Sequence, residues 1–445
     1  MSLTTPDTIR TLQRKLYAKA KREPAYRFYA LYDKISRAEV LAHAWRLVRA
    51  NRGSSGVDGM SFEAIESGKG IDTFLLELAQ DLKDKTYRAQ PVRRVMIPKV
   101  DGSLRPLGIP TIRDRVAQMA VKLIIEPIFE ADFCPNSYGF RPRKSAHDAV
   151  DDMANALWAG YTHVIDADLS KYFDSIPHAK LMAVVAERIV DGGILHLINL
   201  WLKAPVIGED DNGVKRTVGG GKSNRKGTPQ GGVISPLLAN CYLHLLDRIW
   251  QRRHLRGKLQ AHLVRYADDF VVMCRRDVQE PLKVVRRVLE RLGLSLNESK
   301  TRIVDATQAS FDFLGFSIRM SRGRRTGKPY PHVRPSAKSL MKIKTKLTAL
   351  TGRELTPIPL EKIVENVNRS LKGWVNYFHY RNSNQVMEKV KTHAEHRMRR
   401  HLMKRHKVKD RGIGEGRFPS VDLYRRYGLY KVPTVAGWRS AHALA

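Results

Sequence analysis

One short segment limits what the rest of the chain can fold into: residues 262–274, with the sequence HLVRYADDFVVMC. Two apolar, β-prone runs flank Ala267, Asp268 and Asp269, and a polar tip this short predicts a β-hairpin. Adjacent carboxylates repel each other and raise each other's pKa unless a cation lies between them. A hard divalent cation with oxygen ligands removes that conflict. The alternative for an isolated pair is a solvated Asp-Asp turn. Other segments of the sequence are needed to choose between this turn and a cation site.

A third carboxylate follows a second predicted strand. The stretch THVIDAD predicts a short strand that ends on Asp168. Nucleotidyl transfer with two metal ions needs such ligands, because the metals act together on the attacking hydroxyl and the leaving oxygen. Asp166 lies on the same face of the strand as Asp168 but two residues earlier, and Asp174 lies past the turn that follows the strand, so both rank below Asp168. We therefore predict that Asp168, Asp268 and Asp269 are the catalytic residues and the metal ligands.

The charge balance indicates a polyanionic partner. The 445 residues, enough for two or three domains, include 79 Lys and Arg against 44 Asp and Glu, a net charge of +35. Such a field attracts nucleic-acid phosphates. Lipid headgroups are the rival partner, but no apolar run approaches the roughly 18 residues of a membrane-spanning helix. Three scattered cysteines and the lack of a secretory pattern at the N-terminus predict a reduced, cytoplasmic compartment.

Several further segments have recognisable local patterns. Residues 92–99 and 104–109 predict a β-hairpin with Lys99 and Arg105 beside its tip. Residues 208–227 form a glycine-rich basic segment, in which residues 219–221 read as a flexible loop, and residues 311–318 predict one strand. Residues 317–445 carry 30 Lys and Arg against 8 Asp and Glu. We predict that this last third is mostly helical, with GIGEGR at 412–417 as an internal linker.

Several ordered motifs together resemble those of reverse transcriptases, and in particular the group II intron-encoded type, also called intron maturases. The main matches are DADLSKYFDSI at 166–176, GTPQGGVISPL at 227–237 and YADD at 266–269. Supporting matches are RPLGIP at 105–110, YGFRP at 138–142, LGLSLN at 292–297 with Lys300, FLGF at 313–316 and LKGWVNYF at 371–378. The last of these is similar to the thumb, or X domain, of maturases, so the resemblance covers nearly the whole chain.

The resemblance implies an α+β right-hand polymerase with fingers, a palm built on an antiparallel sheet, and a helical thumb. The domain boundaries expected from it are 1–90 for an N-terminal extension and the start of the fingers, 91–317 for fingers and palm, 318–407 for the thumb, and 408–445 for a small basic module that binds DNA or RNA. No pattern of paired cysteines and histidines follows residue 407, so the chain resembles the bacterial type that lacks an endonuclease domain.

The resemblance also implies roles for single residues. Asp168, Asp268 and Asp269 would bind two Mg²⁺ ions. Lys99 and Arg105 would hold the triphosphate of the incoming dNTP, as a point charge and a guanidinium fork. Gln230 would pack on that nucleotide, Phe173 would be the steric gate against a 2′-hydroxyl, and Lys300 would neutralise the departing pyrophosphate. The alternatives without a functional role are a core position for Phe173, an ordinary turn for Gln230 and a solvated surface position for Lys99, Arg105 and Lys300.

A further set of basic residues is expected to contact nucleic acid. Arg141 would support the template or the fingers, with Lys144 in the same basic loop. The basic helix near residue 400 is predicted to face RNA, and the basic-aromatic tail offers cation–π contacts and stacking. The candidates in these two segments are Arg397, Arg399, Arg400, Arg425 and Arg426.

The predicted function is RNA-templated DNA synthesis on a DNA primer, with a group II intron RNA as the partner whose splicing the protein assists and which it copies during retrohoming into target DNA. The expected location is the bacterial cytoplasm, at the nucleoid, with no membrane partner. Two alternatives stay open at this point. One is a domesticated reverse transcriptase acting in DNA repair or defence, and the other is an RNA-binding splicing factor with a secondary or vestigial polymerase.

Overall fold

The computed structural model describes residues 4–98, 104–209, 214–323 and 325–437. The chain divides into two compact units. The first contains residues 1–149, 165–272 and 277–302, and the second contains residues 150–164, 273–276 and 303–445. Lys99, one of the predicted triphosphate ligands, lies outside the described residues.

The structure is a mixture of helices and short strands, as predicted. The helices are α1 (Asp7–Arg22), α2 (Tyr32–Ile35), α3 (Ala38–Ala50), α4 (Phe62–Ser67), α5 (Ile71–Lys83), α6 (Ile112–Glu130), α7 (Ala146–Trp158), α8 (Tyr172–Ser175), α9 (His178–Ala186), α10 (Gly192–Leu202), α11 (Ser235–Arg252), α12 (Leu255–Lys258), α13 (Gln279–Leu292), α14 (Ala337–Ala349), α15 (Leu360–Phe378), α16 (Asn384–Arg405), α17 (Arg411–Arg417) and α18 (Ser420–Arg425). The strands are β1 (Val92–Pro98), β2 (Leu104–Ile109), β3 (His163–Ala167), β4 (Val206–Glu209), β5 (Lys215–Gly219), β6 (Ala261–Tyr266), β7 (Asp269–Cys274), β8 (Arg302–Asp305), β9 (Phe311–Phe313), β10 (Phe316–Arg322) and β11 (Pro329–Pro335).

The first unit contains a four-stranded sheet of order β2-β1-β4-β5. β1 and β2 form the predicted antiparallel hairpin, with Val95 opposite Leu107 and Ile97 opposite Arg105. The glycine-rich basic segment at 208–227 contains two strands that the sequence did not predict, because β4 and β5 pair antiparallel and β4 adds to β1. All of β5 is exposed, so its sequence has no alternation of apolar and polar residues that would predict a strand. Its pairing with β4 stabilises it.

A second four-stranded sheet, of order β6-β7-β3-β8, carries the strands that were predicted to hold the aspartates. β6 and β7 are joined by a two-residue turn at 267–268, which confirms the hairpin predicted over 262–274. Both strands are buried, apart from Asp269 and the partly exposed Tyr266. β3 is the neighbour of β7, so Asp168 follows a strand that lies directly beside the hairpin of β6 and β7.

One long helix supports the first unit from within. α6 begins after Thr111, whose hydroxyl accepts a hydrogen bond from the amide of Asp114 at 3.2 Å, which is an N-cap. Most of the helix is buried, including the polar Gln118. Gln118 is 4% exposed, and its side-chain oxygen accepts from the amide of Val233 at 2.8 Å. This contact ties the glycine-rich turn before α11 to the core of the unit.

The second unit contains a small sheet of order β11-β10-β9. The prediction of one strand over 311–318 is wrong, because Leu314 and Gly315 adopt positive φ values of 49° and 80° and reverse the chain between β9 and β10. The hydroxyl of Ser339 donates to the carbonyl of Gly315 at 2.9 Å and fixes this turn. Phe313 and Phe316, on either side of Leu314 and Gly315, give the segment the apolar character of a single strand, so the sequence does not reveal the turn.

Helices α14, α15 and α16 pack together in the second unit around one apolar core, which includes Leu347, Leu371 and Met398. The prediction of a linker over 412–417 is wrong, because these residues form α17. Asp410 caps this helix by accepting from the amide of Ile413 at 2.8 Å. Phe418 and the apolar residues that follow it join the core of α14–α16. In the described part of the chain, no helix is both long and apolar enough to cross a membrane.

Candidate active site

The two aspartates of the hairpin are presented by a strained turn. Ala267 has a φ of 58°, which is unusual for a residue with a side chain. Asp268 follows it in the turn and is partly exposed, and Asp269 begins β7 with an exposed side chain. The buried strands on either side hold the turn at the edge of the sheet, so the hairpin keeps both carboxylates available to a ligand.

The electrostatics couple the predicted aspartates to one another. The pKa of Asp269 is raised to about 6, first because the surrounding protein disfavours the charged form and then because of the negative charges of Asp268, Asp168 and Asp166. The pKa of Asp268 is also raised, mainly by desolvation and further by Asp168, while Arg105 acts in the opposite direction. These carboxylates are therefore close enough to repel one another, which is the condition that a bound cation relieves.

Asp168 is held by residues that follow α13. The side-chain amide of Asn297 donates to the Oδ2 atom of Asp168 at 3.1 Å, and the Nζ atom of Lys300 lies 3.5 Å from the same oxygen. The backbone amide of Asn297 also donates to the carbonyl of Asp168 at 2.8 Å. Lys300 is 62% exposed at its side chain, so it stands at the rim of the cluster and can turn toward another anion.

A buried ion pair under the hairpin escaped the sequence analysis. Arg265 of β6 and Asp247 of α11 have fully buried side chains, and the guanidinium Nε atom lies 3.0 Å and 3.1 Å from the two carboxylate oxygens. The Nη1 atom of Arg265 donates to the carbonyl of Ala267 and to the side-chain oxygen of Asn240, both at 2.9 Å. The network therefore holds the backbone of the catalytic turn. An arginine inside an otherwise apolar strand was the available signal, because such a charge is buried only when it is paired.

The loop at 138–141 lies directly against the catalytic turn. A Cβ atom at Gly139 would meet the backbone nitrogen of Ala267 at 2.3 Å, so only glycine fits there. Asn240 donates to the carbonyl of Gly139 at 2.7 Å, and the amide of Tyr138 donates to the carbonyl of Arg265 at 2.9 Å. The YGFRP and YADD motifs therefore lie against each other in the folded protein.

The expectation that Arg141 contacts nucleic acid is not supported by its position. Its side chain is 6% exposed and is paired with Glu130, whose carboxylate lies 3.0–3.1 Å from Nε and Nη2. Its Nη1 atom donates to the carbonyls of Cys134 and Ser137, both at 2.7 Å. All faces of the guanidinium are thus engaged within the protein, and Arg141 braces the loop. Lys144, in contrast, is exposed.

Gln230 connects the turn before α11 to the hairpin of β1 and β2. Its Oε1 atom accepts from Nε of Arg105 at 2.8 Å, and its Nε2 atom lies 3.4 Å from both carboxylate oxygens of Asp174. The amide of Gly108 donates to the carbonyl of Gln230 at 2.5 Å. Gly231 has a φ of 115°, and a Cβ atom there would meet the carbonyl oxygen of Gly108 at 2.3 Å. The structure thus brings Arg105 and Gln230 together, as side chains facing one ligand would be.

Phe173 lies in α8, five residues after Asp168, and is 8% exposed. Its ring is 5.5 Å from the ring of Tyr172, and its carbonyl accepts from the amide of Thr228 at 2.7 Å. It is therefore attached to the same turn as Gln230. The burial of its ring is what a core position predicts, and its attachment to the turn of Gln230 is what the expected gate predicts.

The donor set suits a hard divalent cation. Asp168, Asp268 and Asp269 offer only oxygen atoms, the ligand type that Mg²⁺ prefers. Within the described residues, no group of three His, Cys, Asp or Glu side chains is close enough together to hold a metal ion as it stands. The chemistry of the donors and their mutual repulsion fit a cation, although the side chains are not gathered around one point.

The predicted RNA-facing arginines of the second unit have different surroundings. Arg397 donates to the hydroxyl of Thr351 at 3.1 Å and to two carbonyls at the end of α14. Arg399 donates to the carbonyl of Phe418 at 2.9 Å and to the hydroxyl of Ser420 at 3.0 Å. Both therefore hold the fold together. The exposed members of the predicted set are Arg400, Arg425 and Arg426.

Two family models match the chain. Residues 97–318 match the model described as reverse transcriptase (RNA-dependent DNA polymerase), and residues 340–415 match the model described as group II intron, maturase-specific domain. The fold and the site therefore define the chain as an RNA-directed DNA polymerase of the right-hand type.

Two relatives place the chain more closely. Protein YkfC of Escherichia coli (strain K12) is 36% identical over 353 residues, which cover 71% of this chain and 90% of YkfC. The group II intron-encoded protein LtrA of Lactococcus lactis subsp. cremoris is 31% identical over 375 residues, which cover 68% of this chain and 59% of LtrA. The chain belongs to the family of group II intron reverse transcriptases and maturases. A solved telomerase structure from Candida albicans is 13% identical, with 79% of this chain and 68% of that chain covered and a TM-score of 0.42.

Proposed function

We propose that this reverse transcriptase extends a DNA primer on a group II intron RNA during retrohoming into target DNA, and that the same protein holds the folded intron RNA while it splices. The observation that carries the proposal is the presence, on one chain, of the carboxylate cluster around Asp269 and of a maturase-specific domain. The relationship to an intron-encoded protein favours this function over repair or defence. We propose that it works in the bacterial cytoplasm, at the nucleoid, where its RNA template and target DNA would be found.

Asp168, Asp268 and Asp269 would hold two Mg²⁺ ions. When bound, these ions would activate the primer 3′-hydroxyl and stabilise the leaving pyrophosphate. The pKa values of Asp268 and Asp269 are raised mainly by desolvation and further by neighbouring carboxylates, and a bound cation would offset the repulsion among these carboxylates. Asn297 would orient the carboxylate of Asp168, to which it already donates a hydrogen bond. Lys300, at the rim, would exchange its contact with Asp168 for the pyrophosphate.

Arg105 and Gln230 would receive the incoming dNTP together. Arg105 would bind the triphosphate, with Lys99 as its partner on the same predicted hairpin. The existing hydrogen bond between Arg105 and Gln230 supports this proposal, because it joins the hairpin of β1 and β2 to the turn before α11. A triphosphate that binds Arg105 would therefore also fix the position of Gln230. Phe173 would close the site beside the sugar.

The test of the proposed function is extension of a DNA primer on an RNA template by the purified protein, together with sequencing of the RNA that copurifies with it. We expect dNTP incorporation directed by the template, and copurified RNA enriched in one intron that is spliced faster when protein is added. Absence of RNA-templated extension would overturn the polymerase proposal. Extension without enrichment of a self-splicing RNA would overturn the intron partnership alone.

Replacing Phe173 by valine is expected to admit ribonucleotides. The smaller side chain opens space beside the sugar, so the ratio of kcat/KM for dNTP over rNTP should fall by on the order of tenfold or more, the amount that about 1.4 kcal/mol of lost discrimination corresponds to. Single-nucleotide incorporation assays measure the ratio. The control is the neighbouring Tyr172→Phe variant, which loses a hydroxyl that donates to the carbonyl of Ala239 at 2.6 Å. This variant should leave the ratio of kcat/KM values unchanged. An unaltered ratio in Phe173→Val would remove this residue as the gate.

Arg399 and Arg400 are neighbours on α16 with different expected roles. Both arginines line a cleft of about 210 Å³ with His396 and Arg411, but Arg400 is exposed, whereas Arg399 is hydrogen-bonded to residues 418 and 420. We expect Arg400→Ala to weaken RNA binding and to reduce the slope of log Kd against log salt by about 1, the loss of one phosphate contact.

The adjacent variant Arg399→Ala serves as the control for Arg400→Ala. It should lower the Tm and leave the salt slope close to the value of the unaltered protein, because Arg399 is already engaged within the fold. Filter binding at several salt concentrations measures both slopes. Equal slopes for Arg400→Ala and the unaltered protein would contradict a phosphate contact at this position.

A further inference from the structure

The loop of residues 138–144 has a feature that the catalytic assignment does not use. Phe140 and Arg143 both adopt positive φ values, 56° and 59°, although neither is glycine. This region of backbone conformation is unfavourable for residues with bulky side chains, and it persists only where the surroundings impose it. Two such residues within four positions make this one of the most strained short segments in the described part of the chain.

The surroundings that impose this conformation are those of the active site. Gly139 is in contact with the backbone of Ala267, and Asn240 holds its carbonyl. Arg141, on the other side of Phe140, is fixed by Glu130 and by two backbone carbonyls. Phe140 is thus anchored from both sides and lies one residue from the contact with the catalytic turn.

Burial of the Phe140 and Arg143 side chains does not compensate for this backbone strain. Phe140 is 52% exposed, and Arg143 is exposed as well, while Arg141 between them is buried. Folding gains little from an aromatic ring that keeps half of its surface in water. Glycine would relieve the backbone at either position. An exposed ring and an exposed guanidinium, held rigidly beside a polymerase site, therefore point to contact with a ligand.

We propose that Phe140 stacks on a nucleobase of the primer–template and that Arg143 contacts an adjoining phosphate. Aromatic faces bind bases of any sequence, and a guanidinium suits a phosphate, so the pair fits a nucleic-acid strand entering the site. The proposal rests on the proposed polymerase function and assigns a nucleic-acid contact to Phe140 and Arg143 in place of Arg141. The loop would hold the strand at a constant distance from Asp268 through its contact with Ala267.

The first test compares Phe140→Ala, Phe140→Gly and Phe140→Tyr in the full-length protein. We expect the alanine and glycine variants to raise the Kd for primer–template by on the order of tenfold, and the tyrosine variant to restore it. The Tm of Phe140→Gly should equal or exceed that of the unaltered protein, because the strain is relieved. Leu76→Ala, which removes an apolar side chain that is 68% exposed on α5, should change neither quantity.

2-Aminopurine in the primer–template identifies the strand that Phe140 touches. Placed in the template or at the primer terminus, the probe should lose fluorescence on binding to the unaltered protein and regain it with Phe140→Ala in one arm. Recovery in the template arm assigns the template, and recovery in the primer arm assigns the primer. No recovery in either arm, an unchanged Kd, or a lower Tm for Phe140→Gly would overturn the stacking proposal.

The second test addresses Arg143. Arg143→Gly should reduce the salt slope of primer–template binding by about 1, whereas Phe140→Ala should leave the slope unchanged. Lys85→Gly is the matched control, because Lys85 is also exposed and also has a positive φ, 58°, in the turn after α5. Equal slopes for Arg143→Gly and Lys85→Gly would remove the phosphate contact. RNA-templated extension by the unaltered protein separates a failure of this inference from a failure of the polymerase proposal.

Discussion

Replacement of Asp268 by alanine is expected to slow primer extension on the order of a thousandfold or more, while RNA affinity stays within a few-fold. A change of this size corresponds to about 4 kcal/mol of lost transition-state stabilisation, which is reasonable for a group that holds a catalytic metal. RNA affinity should persist because it comes from the basic surfaces of the protein, and Asp268 carries the opposite charge. Extension rates under single-turnover conditions and filter binding measure the two quantities.

A matched control for this variant lies in the same cluster. Asp166 contributes to the raised pKa of Asp269, but it lies within β3 and not at its end. Asp166→Asn should therefore retain extension to within about tenfold of the unaltered rate, because it changes the local field and removes no proposed metal ligand. If folded Asp268→Ala kept more than a tenth of the activity, or if Asp166→Asn were equally inactive, the assignment of the metal ligands would be wrong.

Replacement of Asp247 by alanine is expected to lower the free energy of unfolding by about 3–5 kcal/mol, the cost of leaving a buried charge without its partner. Arg265 and Asp247 are both fully buried, and the arginine also holds the carbonyl of Ala267 at 2.9 Å. The variant should therefore lose stability and activity together, since the catalytic turn loses its support. Urea denaturation and primer extension measure the two effects.

A double variant separates the two effects of this ion pair. Asp247→Leu combined with Arg265→Met removes both charges, so it should be more stable than Asp247→Ala alone, because no charge is left buried and unpaired. Its primer extension should stay low, because no donor then holds the carbonyl of Ala267. Recovery of full activity in the double variant would mean that the network stabilises the fold without positioning the catalytic turn.

The local pattern of the sequence was sufficient for the hairpin that carries Asp268 and Asp269. Apolar runs that end in a short polar tip can fold in few ways, and β6 and β7 lie where those runs predicted them. The same holds for the hairpin of β1 and β2, which two short β-prone runs separated by a turn sequence predicted and whose antiparallel register the structure shows. In each case the information is contained in neighbouring residues, so no distant contact is needed to interpret it.

The sequence was a poor guide where distant partners decide the structure. β5 is exposed along its whole length and exists because β4 pairs with it. Residues 412–417 have the glycine content of a linker, yet they form a helix because Asp410 caps it and Gly414 packs closely against Met403. Local propensity gives little support to either element. Tertiary contacts stabilise both of them, and a short window of sequence does not contain those contacts.

Charged residues give the clearest case of the same limit. Arg141, Arg397 and Arg399 look like surface cations in the sequence, but each binds acceptors that are distant in the chain or in neighbouring elements. Arg265 looks like an interruption of a strand, and it proves to hold the catalytic turn. A basic side chain can serve a phosphate or the fold, and only the positions of its acceptors distinguish these roles.

The sequence by itself determined the chemistry of this protein: the acidic hairpin, the third aspartate after a strand, the excess of positive charge and the order of the motifs. These features depend on residue type and on the spacing of residues that are close in sequence, and both can be read directly from the sequence. Only the tertiary structure decided which cations are committed to the fold, which loop lies against Ala267, and which side chains are left exposed beside the site. Those outcomes depend on contacts that a local pattern does not contain, from the pairing of Arg141 with Glu130, 11 positions away, to that of Arg105 with Gln230, 125 positions away, and such pairing follows from packing of the whole unit.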